Sequence, residues 1–593
     1  MTFKTKLLAG AALTGAVLST GIAAPAQADP LDSKYTLTRV ATVPAGSEVT
    51  GLAVNAMGEL FFNAQHPGGD DEYTPGAVPA FIGYVSGLDI SSGVDHLPMP
   101  APADWMQANV GEGTYIILGE AGEAINGGTQ VLGGVYDVDG NLMYVSNDAD
   151  VNSFVPLSDT AAYLYTGWEG AGIKGASAIS RLKLNKVGGV WVADLDASEM
   201  INLSSIYGGW VLCFGHETPW NSALVAEEYY YLNTALWNYP GHHDDNYLPY
   251  YLPTSTNLSY HIPGIMGVYR GEFPNPYHYG YQIEITDRDQ ATPTLVKHYA
   301  MGRFSHENGV VMPDNKTVYQ SDDDSGQYTS PEYKTNSGGV LFKFVADVAN
   351  DLSAGTLYAA KIKQIGGTDI ESTKFKVEWI ELAHGSNAQI ADWIAEYDQV
   401  TDADYVAGES SYVSDEDVLN WAEGKRNMDI DGNGVVGTYP DDRPAFLESR
   451  KAAAAMGATY DWNKMEGVTA DGQNVYLAIS SITQTMTTDW GDIDWMTGEN
   501  VDASNGDIAM QAEACGGVYS AKLDKNFDIS LLKPATMGES KTYANPDNAG
   551  VECNLDKIAN PDNILSIGKG QVLIGEDSGD HGVDMLWLAT KND

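Results

Sequence analysis

One short theme recurs six times along the chain and constrains its fold more than any other feature. Each copy runs through small residues and an aliphatic pair to an Asp, Asn or Gly turn, then into a hydrophobic strand. Most copies carry acid or amide groups at the same two places. This order predicts two strands joined by a tight turn, the hairpin of a propeller blade. A ring of blades points one strand end from each towards a central channel. Carboxylates gathered there repel one another unless cations lie between them, so the theme predicts an all-β propeller with a metal site. The copies cover residues 50–65, 133–148, 218–228, 306–324, 465–480 and 561–577.

The charge of the chain excludes one class of partner. It has 80 Asp and Glu residues against 32 Lys and Arg residues, for a net charge of −48. Nucleic-acid binding requires a basic surface, which this balance rules out. The acidic excess favours solubility in salt and attracts cations, and adaptation to a saline medium is its simplest explanation.

The first 28 residues are typical of a signal peptide. Lys4 and Lys6 form a basic start, residues 7–22 form an apolar run, and Ala26-Gln27-Ala28 fits a cleavage site. We therefore expect a periplasmic or secreted protein that begins near Asp29 and uses the general export route. No other run predicts a membrane span.

The three cysteines divide unevenly in an exported protein. Cys515 and Cys553 are candidates for a disulfide, which leaves Cys213 as the odd thiol.

The residue pattern of the sequence predicts three parts after the signal peptide. Residues 29–386 and 459–593 read as short strands with Gly, Asn and Pro turns, and residues 387–458 read as a helical insertion. Helices are expected at 390–397, 415–421 and 445–456.

The insertion contains a segment similar to the first half of an EF-hand calcium loop. Asp429, Asp431 and Asn433 occupy loop positions one, three and five, and Gly434 follows at six. Pro440 stands where the loop normally has its bidentate Glu. The alternative is a plain turn rich in Asp and Asn.

A thiol and two carboxylates lie close together in residues 213–228. Cys213 precedes a Thr-Pro-Trp turn, and Glu227 and Glu228 follow it. A soft sulfur ligand beside hard oxygen ligands suits a transition metal next to calcium. The alternative is a buried structural cysteine with surface acids.

This segment resembles the Cys–Thr-Pro-Trp–Glu-Glu motif of the PhoX-type alkaline phosphatases. Residues 302–307 are similar to the family's Gly-Arg-Phe-Ala-His-Glu, 464–466 to its Arg-Pro-Glu, and 561–563 to its Pro-Asp-Gly. Residues 63–68 resemble its Asn-Ile-Gln-His-Pro-Gly, which in the family lies near the C-terminus. The resemblance therefore implies a permuted member, which a closed ring tolerates.

The resemblance implies a six-bladed propeller with a small helical insertion, whose channel binds Ca²⁺ and Fe³⁺ and hydrolyses small phosphate esters. It makes Cys213 an iron ligand. Lys464, where the family has Arg, becomes the cation that contacts phosphate. The carboxylate ligands that it implies are Glu227, Glu228, Glu307, Glu466 and Asp562.

Two other functions remain open. A calcium-dependent propeller esterase or lactonase uses channel carboxylates and needs no thiolate. A non-catalytic surface binding protein keeps its metals for structure only.

Overall fold

The computed structural model describes most of the chain in one set of strands and short helices. The described residues are 34–170, 175–228, 234, 237–238, 270–323, 338–425, 439–487, 492–493, 500–501, 506–545 and 550–592. The predicted signal peptide and the EF-hand-like segment with Asp429, Asp431 and Asn433 lie outside the described residues.

The chain is built mainly from strands, as its short hydrophobic runs and Gly, Asn and Pro turns predict. In chain order they are β1 (Tyr35–Thr42), β2 (Glu48–Val54), β3 (Leu60–Gln65), β4 (Phe81–Ser86), β5 (Asn109–Val110), β6 (Thr114–Glu120), β7 (Ala124–Ile125), β8 (Gln130–Val131), β9 (Gly134–Tyr136), β10 (Leu142–Val145), β11 (Ala149–Ser158), β12 (Ala161–Trp168), β13 (Ala176–Val187), β14 (Val190–Met200), β15 (Gly209–Trp210), β16 (Leu212–Glu217), β17 (Ala223–Glu227), β18 (Gln282–Thr286), β19 (Thr294–Lys297), β20 (His306–Val311), β21 (Thr317–Asp322), β22 (Phe342–Val348), β23 (Asp351–Ile365), β24 (Lys374–Ser386), β25 (Met465–Asp471), β26 (Asn474–Ile479), β27 (Asp492–Ile493), β28 (Asn500–Val501), β29 (Gly517–Lys522), β30 (Leu531–Met537), β31 (Pro561–Gly568), β32 (Gln571–Glu576) and β33 (Met585–Lys591).

The strands form a propeller-like arrangement of four blades and one larger sheet. The blades have the strand orders β2-β3-β4-β6, β11-β12-β13-β14, β16-β17-β18-β19 and β31-β32-β33-β1-β5. The larger sheet has nine strands in the order β20-β21-β22-β23-β24-β30-β29-β26-β25. Its two edge strands, β20 and β25, contact each other, so this sheet is nearly closed.

The two ends of the described chain meet within one blade. Strand β1 pairs antiparallel with β33, from Tyr35 opposite Lys591 to Thr42 opposite Met585. This pairing closes the ring with hydrogen bonds and removes an exposed sheet edge.

The innermost strands form a closed circuit around a common axis. Strand β2 contacts β11, β11 contacts β16, β16 contacts β20, β20 contacts β25, β25 contacts β31, and β31 contacts β2. Buried apolar side chains fill the space between neighbouring sheets, including Trp168, Trp210 and Trp587. The circuit leaves the start of each inner strand facing the channel.

Local turn chemistry explains how an inner hairpin forms. Between β20 and β21, an Asp314 Oδ1 atom accepts hydrogen bonds from the backbone N–H groups of Lys316 and Thr317. Asn315 adopts φ 59°, which Asn tolerates better than most residues. The turn thereby aligns two strands whose side chains are buried throughout.

The predicted copy of the repeat at residues 133–148 is wrong as a blade hairpin. Strands β9 and β10 form a separate two-stranded sheet. The inner hairpin of that blade is β11–β12, which follows it directly. Because both stretches combine a turn with polar strand ends, the sequence pattern could not separate them.

Four α-helices of the described chain lie between β24 and β25. They are α1 (Asn387–Ala395), α2 (Asp415–Ala422), α3 (Arg443–Leu447) and α4 (Ser449–Ala455). The helices expected at 390–397 and 415–421 are confirmed within a few residues, whereas the third is divided into α3 and α4. Among the described residues, no helix has the length and apolar character that crossing a membrane requires.

The cysteine pairing agrees with the simplest division of the three thiols. Cys515 and Cys553 form a disulfide, with their Cα atoms 5.9 Å apart. Cys213 is free and buried.

Candidate metal centre

A β-bulge recurs at the same place in six inner hairpins of the described chain. In each, the register advances three residues along the first strand and two along the second. A bulge bends a strand and re-aims a side chain, so the same position of each first strand turns towards the axis. The shifts fall between Thr50 and Ala53, Ala149 and Asn152, Leu212 and Gly215, His306 and Gly309, Met465 and Val468, and Pro561 and Ile564.

The first residue of the bulge is a metal-ligand type in five of these hairpins and Gly51 in the sixth. The five side chains are buried. They form two groups, and within each group the ligand atoms all lie within 4.8 Å of one another. Glu307 belongs to both groups. One group contains sulfur and the other contains only oxygen. The groups are Asp150, Cys213 and Glu307, and Glu307, Glu466 and Asp562.

The thiol of Cys213 lies among carboxylates. Its Sγ is 3.0 Å from Glu307 Oε2, 3.3 Å from Asp150 Oδ2 and 3.6 Å from Glu169 Oε1. Burial, followed by the charge of Glu307, raises the pKa of the thiol well above its ordinary value. A bound cation would reverse that preference by stabilising the thiolate.

A second set of acids follows the other strand of the inner hairpins. Each lies one residue beyond the position that pairs opposite the start of a bulge. Glu228 and Asp323 are buried, and Glu169 and Asp577 are partly buried. The channel thus gathers carboxylates from both strands of its hairpins.

The carboxyl groups of the channel are costly to ionise without cations. Burial raises the pKa of Asp150 to about 7 and, together with Asp323, that of Glu466 to about 8. Burial also raises the pKa values of Glu307 and Asp562 well above the ordinary range. Such groups stay protonated or hold cations in place of the protons.

Several carboxylate oxygens in the channel lack a hydrogen-bond partner among the described residues. They include Asp150 Oδ1, Glu228 Oε1, Glu307 Oε1 and Asp323 Oδ1. Buried polar atoms are nearly always paired, so unpaired oxygens that converge fit a site for hard cations. The residues present therefore suit calcium, and the single thiol beside them suits a transition metal.

The comparison with known families matches residues 190–592 to the model described as alkaline phosphatase PhoX. The chain belongs to the PhoX alkaline phosphatase family. No curated protein matches the chain. Family membership supports a phosphatase of the alkaline phosphatase type.

The PhoX match covers only part of the channel wall. It includes the bulges with Cys213, Glu307, Glu466 and Asp562, but the bulges with Gly51 and Asp150 precede it. Because Asp150 contacts Cys213 directly, the site extends beyond the matched residues.

Lys464 lies where the PhoX resemblance places the phosphate-binding cation. Its Nζ is 2.7 Å from Asp323 Oδ2 and 2.8 Å from Glu466 Oε1. Burial lowers the pKa of this ammonium, but the nearby carboxylates, Asp323 first, outweigh it and raise the pKa well above its ordinary value. Its side chain is 30% exposed, whereas that of Glu466 is 3% exposed. Lys464 also adopts φ 49°, and Val211 and Asn560, at the same place before two other bulges, adopt φ 41° and 40°, so this conformation belongs to the repeated hairpin.

A second side chain that favours its cationic form, His66, comes from the N-terminal part of the chain and lies beside the carboxylate of Glu48. His66 Nε2 lies 2.7 Å from Glu48 Oε1, and its Nδ1 lies 2.9 Å from the carbonyl oxygen of Gly46. Burial lowers the pKa of His66, but the Glu48 charge overcomes it and raises the pKa well above its usual value.

The contacts of Glu227 do not support the prediction that it binds a metal. Its carboxylate pairs with Lys297 at 2.8 Å. It also accepts hydrogen bonds from the backbone N–H groups of Trp210, Gly280 and Tyr281. Neighbouring residues of a strand point to opposite faces, so Glu227 anchors the blade while Glu228 turns to the channel.

Two channel acids were missed by the motif reading. Asp150 and Glu169 belong to the β11–β12 hairpin, whereas the sequence pattern predicted a copy at residues 133–148. The stretch from Asp150 to Glu169 starts with an acid, continues through hydrophobic residues to a turn at Asp159 and a second hydrophobic strand, and ends with an acid. That order was the signal that could have identified both.

Proposed function

We propose that this chain is an exported phosphatase that hydrolyses small phosphate esters at a calcium and iron site in its channel. Family membership supplies the class of reaction. The observation that carries the metal site is the convergence of five bulge side chains, from Asp150, Cys213, Glu307, Glu466 and Asp562.

The two groups suggest two kinds of ion. Cys213 with Asp150 and Glu307 offers one sulfur and carboxylate oxygens, which suits Fe³⁺. Glu307, Glu466 and Asp562 offer oxygen alone, which suits Ca²⁺. Glu228 adds a further oxygen beside Asp323 and is a ligand in this proposal. Glu227 is not, because its carboxylate pairs with Lys297. A further calcium site at Asp429, Asp431 and Asn433 stays a prediction.

Phosphoryl transfer needs positioned charge more than covalent chemistry. Bound cations would polarise the phosphoryl oxygens and neutralise their negative charge. In our proposal Lys464 supplies a movable ammonium that binds one phosphate oxygen, in place of the two-pronged guanidinium of the family. The candidate ligand side chains are buried, and burial strengthens such charge interactions. The bulges place the ligands on rigid strands rather than on loops.

We propose that the ring has six blades. Strands β20 to β23 form one blade and β25, β26, β29 and β30 form another, joined by β24 at their outer edges. The closed circuit of inner strands supports this division, and so does the register shift that β20–β21 and β25–β26 share.

Export is supported by two independent features. Residues 1–28 have the composition of a signal peptide. The disulfide between Cys515 and Cys553 is typical of an oxidising compartment.

The thiol argues against the alternative of a calcium-dependent lactonase or esterase. Such a site needs carboxylates but no sulfur, whereas Cys213 lies 3.0 Å from a carboxylate shared by both groups. A protein that keeps metals only for structure would bind them without turnover.

The test combines metal analysis with an assay. The exported protein should contain iron and calcium and hydrolyse an aryl phosphate at alkaline pH. A calcium chelator should abolish turnover, and added calcium should restore it. Cys213→Ser should lose iron and stay folded. Unchanged turnover after the bound metal is shown to be gone would refute the proposal, and metal binding without turnover would favour the binding protein.

A further inference from the structure

A buried arginine of the helical insertion contacts a strand that lines the channel. Arg450, near the start of α4, is 2% exposed. Its Nε donates to Asp322 Oδ2 at 2.8 Å, and its Nη2 donates to Asp322 Oδ1. A two-pronged contact of this kind fixes orientation as well as distance.

Asp322 is the last residue of β21 and is fully buried. Its carboxylate also accepts from the backbone N–H of Ser305 at 3.1 Å and of Val340 at 3.0 Å. Across the ladder it pairs with His306. One carboxylate therefore joins three segments at the channel end of the β20–β21 hairpin.

The residues next to this junction belong to the proposed site. Asp323 follows Asp322 and binds the ammonium of Lys464, which in turn lies against Glu466. Glu307 follows His306 and occupies the bulge. A shift of Asp322 would move Asp323 with it and change where Lys464 rests.

A second contact from the insertion holds the chain that enters β20, at the same end of the hairpin. The backbone N–H of Arg303 donates to Ser449 Oγ at 2.8 Å, and Arg303 Nη1 donates to the carbonyl oxygen of Leu447 at 3.3 Å. The insertion thus grips the hairpin both before β20 and after β21.

We propose that Arg450 is a positioning residue that acts through Asp322 and Asp323 to hold the Lys464 ammonium for phosphate. This inference rests on the proposed function, since it assigns Lys464 a phosphate to bind. On this inference, the helical insertion helps to position a residue of the proposed phosphate site.

The test compares Arg450→Met and Arg450→Lys with a matched control, Arg443→Met. Arg443 is a buried arginine of the same insertion, but it pairs with Glu396 and Asp441 inside the insertion. We expect Arg450→Met to raise KM and the inhibition constant of inorganic phosphate by roughly two- to thirtyfold, the range for breaking a coupled network. Arg450→Lys should recover part of that loss, and Arg443→Met should match the parent.

A double mutant separates positioning from a general loss of structure. If Arg450 acts through Lys464, adding Arg450→Met to Lys464→Ala should change phosphate inhibition no further than Lys464→Ala alone. Additive effects would overturn the inference. If Arg450→Met fails to fold, the paired change Arg450→Met with Asp322→Asn removes both buried charges and serves in its place.

Hydrogen exchange distinguishes failure of this inference from failure of the proposed function. Backbone amides at the end of β21 should exchange faster in Arg450→Met than in Arg443→Met. An active parent whose exchange and phosphate inhibition ignore Arg450→Met would overturn the inference. A parent inert towards phosphate esters would overturn the proposed function, and with it the role of Lys464, whatever the exchange shows.

Discussion

The channel wall has two parts that share a backbone but differ in side chains. In residues 190–592, which match the family, the inner strands carry Cys213, Glu307, Glu466 and Asp562 at their bulges. In residues 34–189 the bulge positions hold Asp150 and Gly51. The register shift is the same in both parts.

This difference shows that the bulge is a feature of the backbone, whereas the residue type at its first position determines whether it offers a metal ligand. Gly51 keeps the bulged backbone, with φ 64°, without offering any ligand. Asp150 offers one and contacts Cys213 across the channel. The cluster of candidate ligands therefore extends beyond the residues that match the family model, and substitutions on both sides can test this.

The largest effect is expected for Asp150→Asn. If the preceding part completes the site, this change should lower iron content and activity as severely as Cys213→Ser. We expect a loss of more than about 100-fold, because even neighbours of metal ligands cost about 10- to 100-fold. Asp159→Asn, on the exposed turn of the same hairpin, is the control. Metal content and kcat/KM measure the effect, and parent-like values for Asp150→Asn would restrict the site to the matched part.

Substitutions of the adjacent residues Glu227 and Glu228 should affect different properties of the protein. Glu227→Gln leaves buried Lys297 without its counter-charge, so we expect a loss of roughly 3–5 kcal/mol of stability with metal content kept. Glu228→Gln should lower metal content with a smaller effect on unfolding. Denaturant unfolding and metal analysis of both variants separate the two roles. Loss of metal in Glu227→Gln with unchanged stability would reverse the assignment.

The two cations of the channel should differ in importance. Lys464→Ala should lower kcat/KM roughly thirtyfold to a thousandfold, the equivalent of about 2–4 kcal/mol of transition-state stabilisation. Lys464→Arg should retain or raise activity. His66→Gln should cost less, because both ring nitrogens are already engaged by Glu48 and Gly46. Equal phosphate inhibition constants for the parent and both Lys464 variants would exclude contact with phosphate.

Gly51→Ala tests whether the bulge without a ligand tolerates a side chain. A Cβ there would lie 2.2 Å from Asn63 Nδ2 and 2.5 Å from the carbonyl oxygen of Asp150. The strained φ alone costs about 1–2 kcal/mol, and overpacking adds about 1–3 kcal/mol. Gly140→Ala shares the positive φ but meets open space, so it isolates the first term. If both variants lost the same free energy of unfolding, steric overlap at position 51 would not contribute to the loss.

The smallest effect concerns acid stability. In the preceding part, inner strands are joined by amides that do not titrate, as between Asn152 and Asn63. In the matched part, His216 Nε2 lies 2.8 Å from the carbonyl oxygen of Val468. Burial lowers the pKa of His216 to about 4, although the contact with Val468 opposes it.

The folded state therefore binds fewer protons than the unfolded state between about pH 4 and the ordinary His value near 6.5. Stability should fall as the pH drops through this window. His216→Gln should flatten this part of the curve of Tm against pH, and His384→Gln, on the surface, should not. An unchanged acid slope in His216→Gln would show that another group controls it.

Much of the fold could be predicted because it depends on local order. The turns and apolar runs indicated four of the six inner hairpins in full and, at residues 218–228, the turn and second strand of a fifth. The motifs singled out Cys213, Glu307, Glu466 and Asp562. The pattern failed at residues 133–148, where β9 and β10 have the local order of a blade hairpin but pair outside the ring. Local sequence specifies a hairpin, whereas only packing decides which hairpin lines the axis.

The sequence by itself determined the strands, the helices of the insertion and the residue types that suit metals. Only the tertiary structure decided which of those residues meet. It separated Glu228 from Glu227, brought Asp150 to Cys213, and placed Arg450 against Asp322. Hydrophobic periodicity and turn chemistry act over a few residues, so the chain displays them directly. The contacts of the channel join positions tens to hundreds of residues apart, and they exist only once the ring closes and the bulges turn the side chains inward.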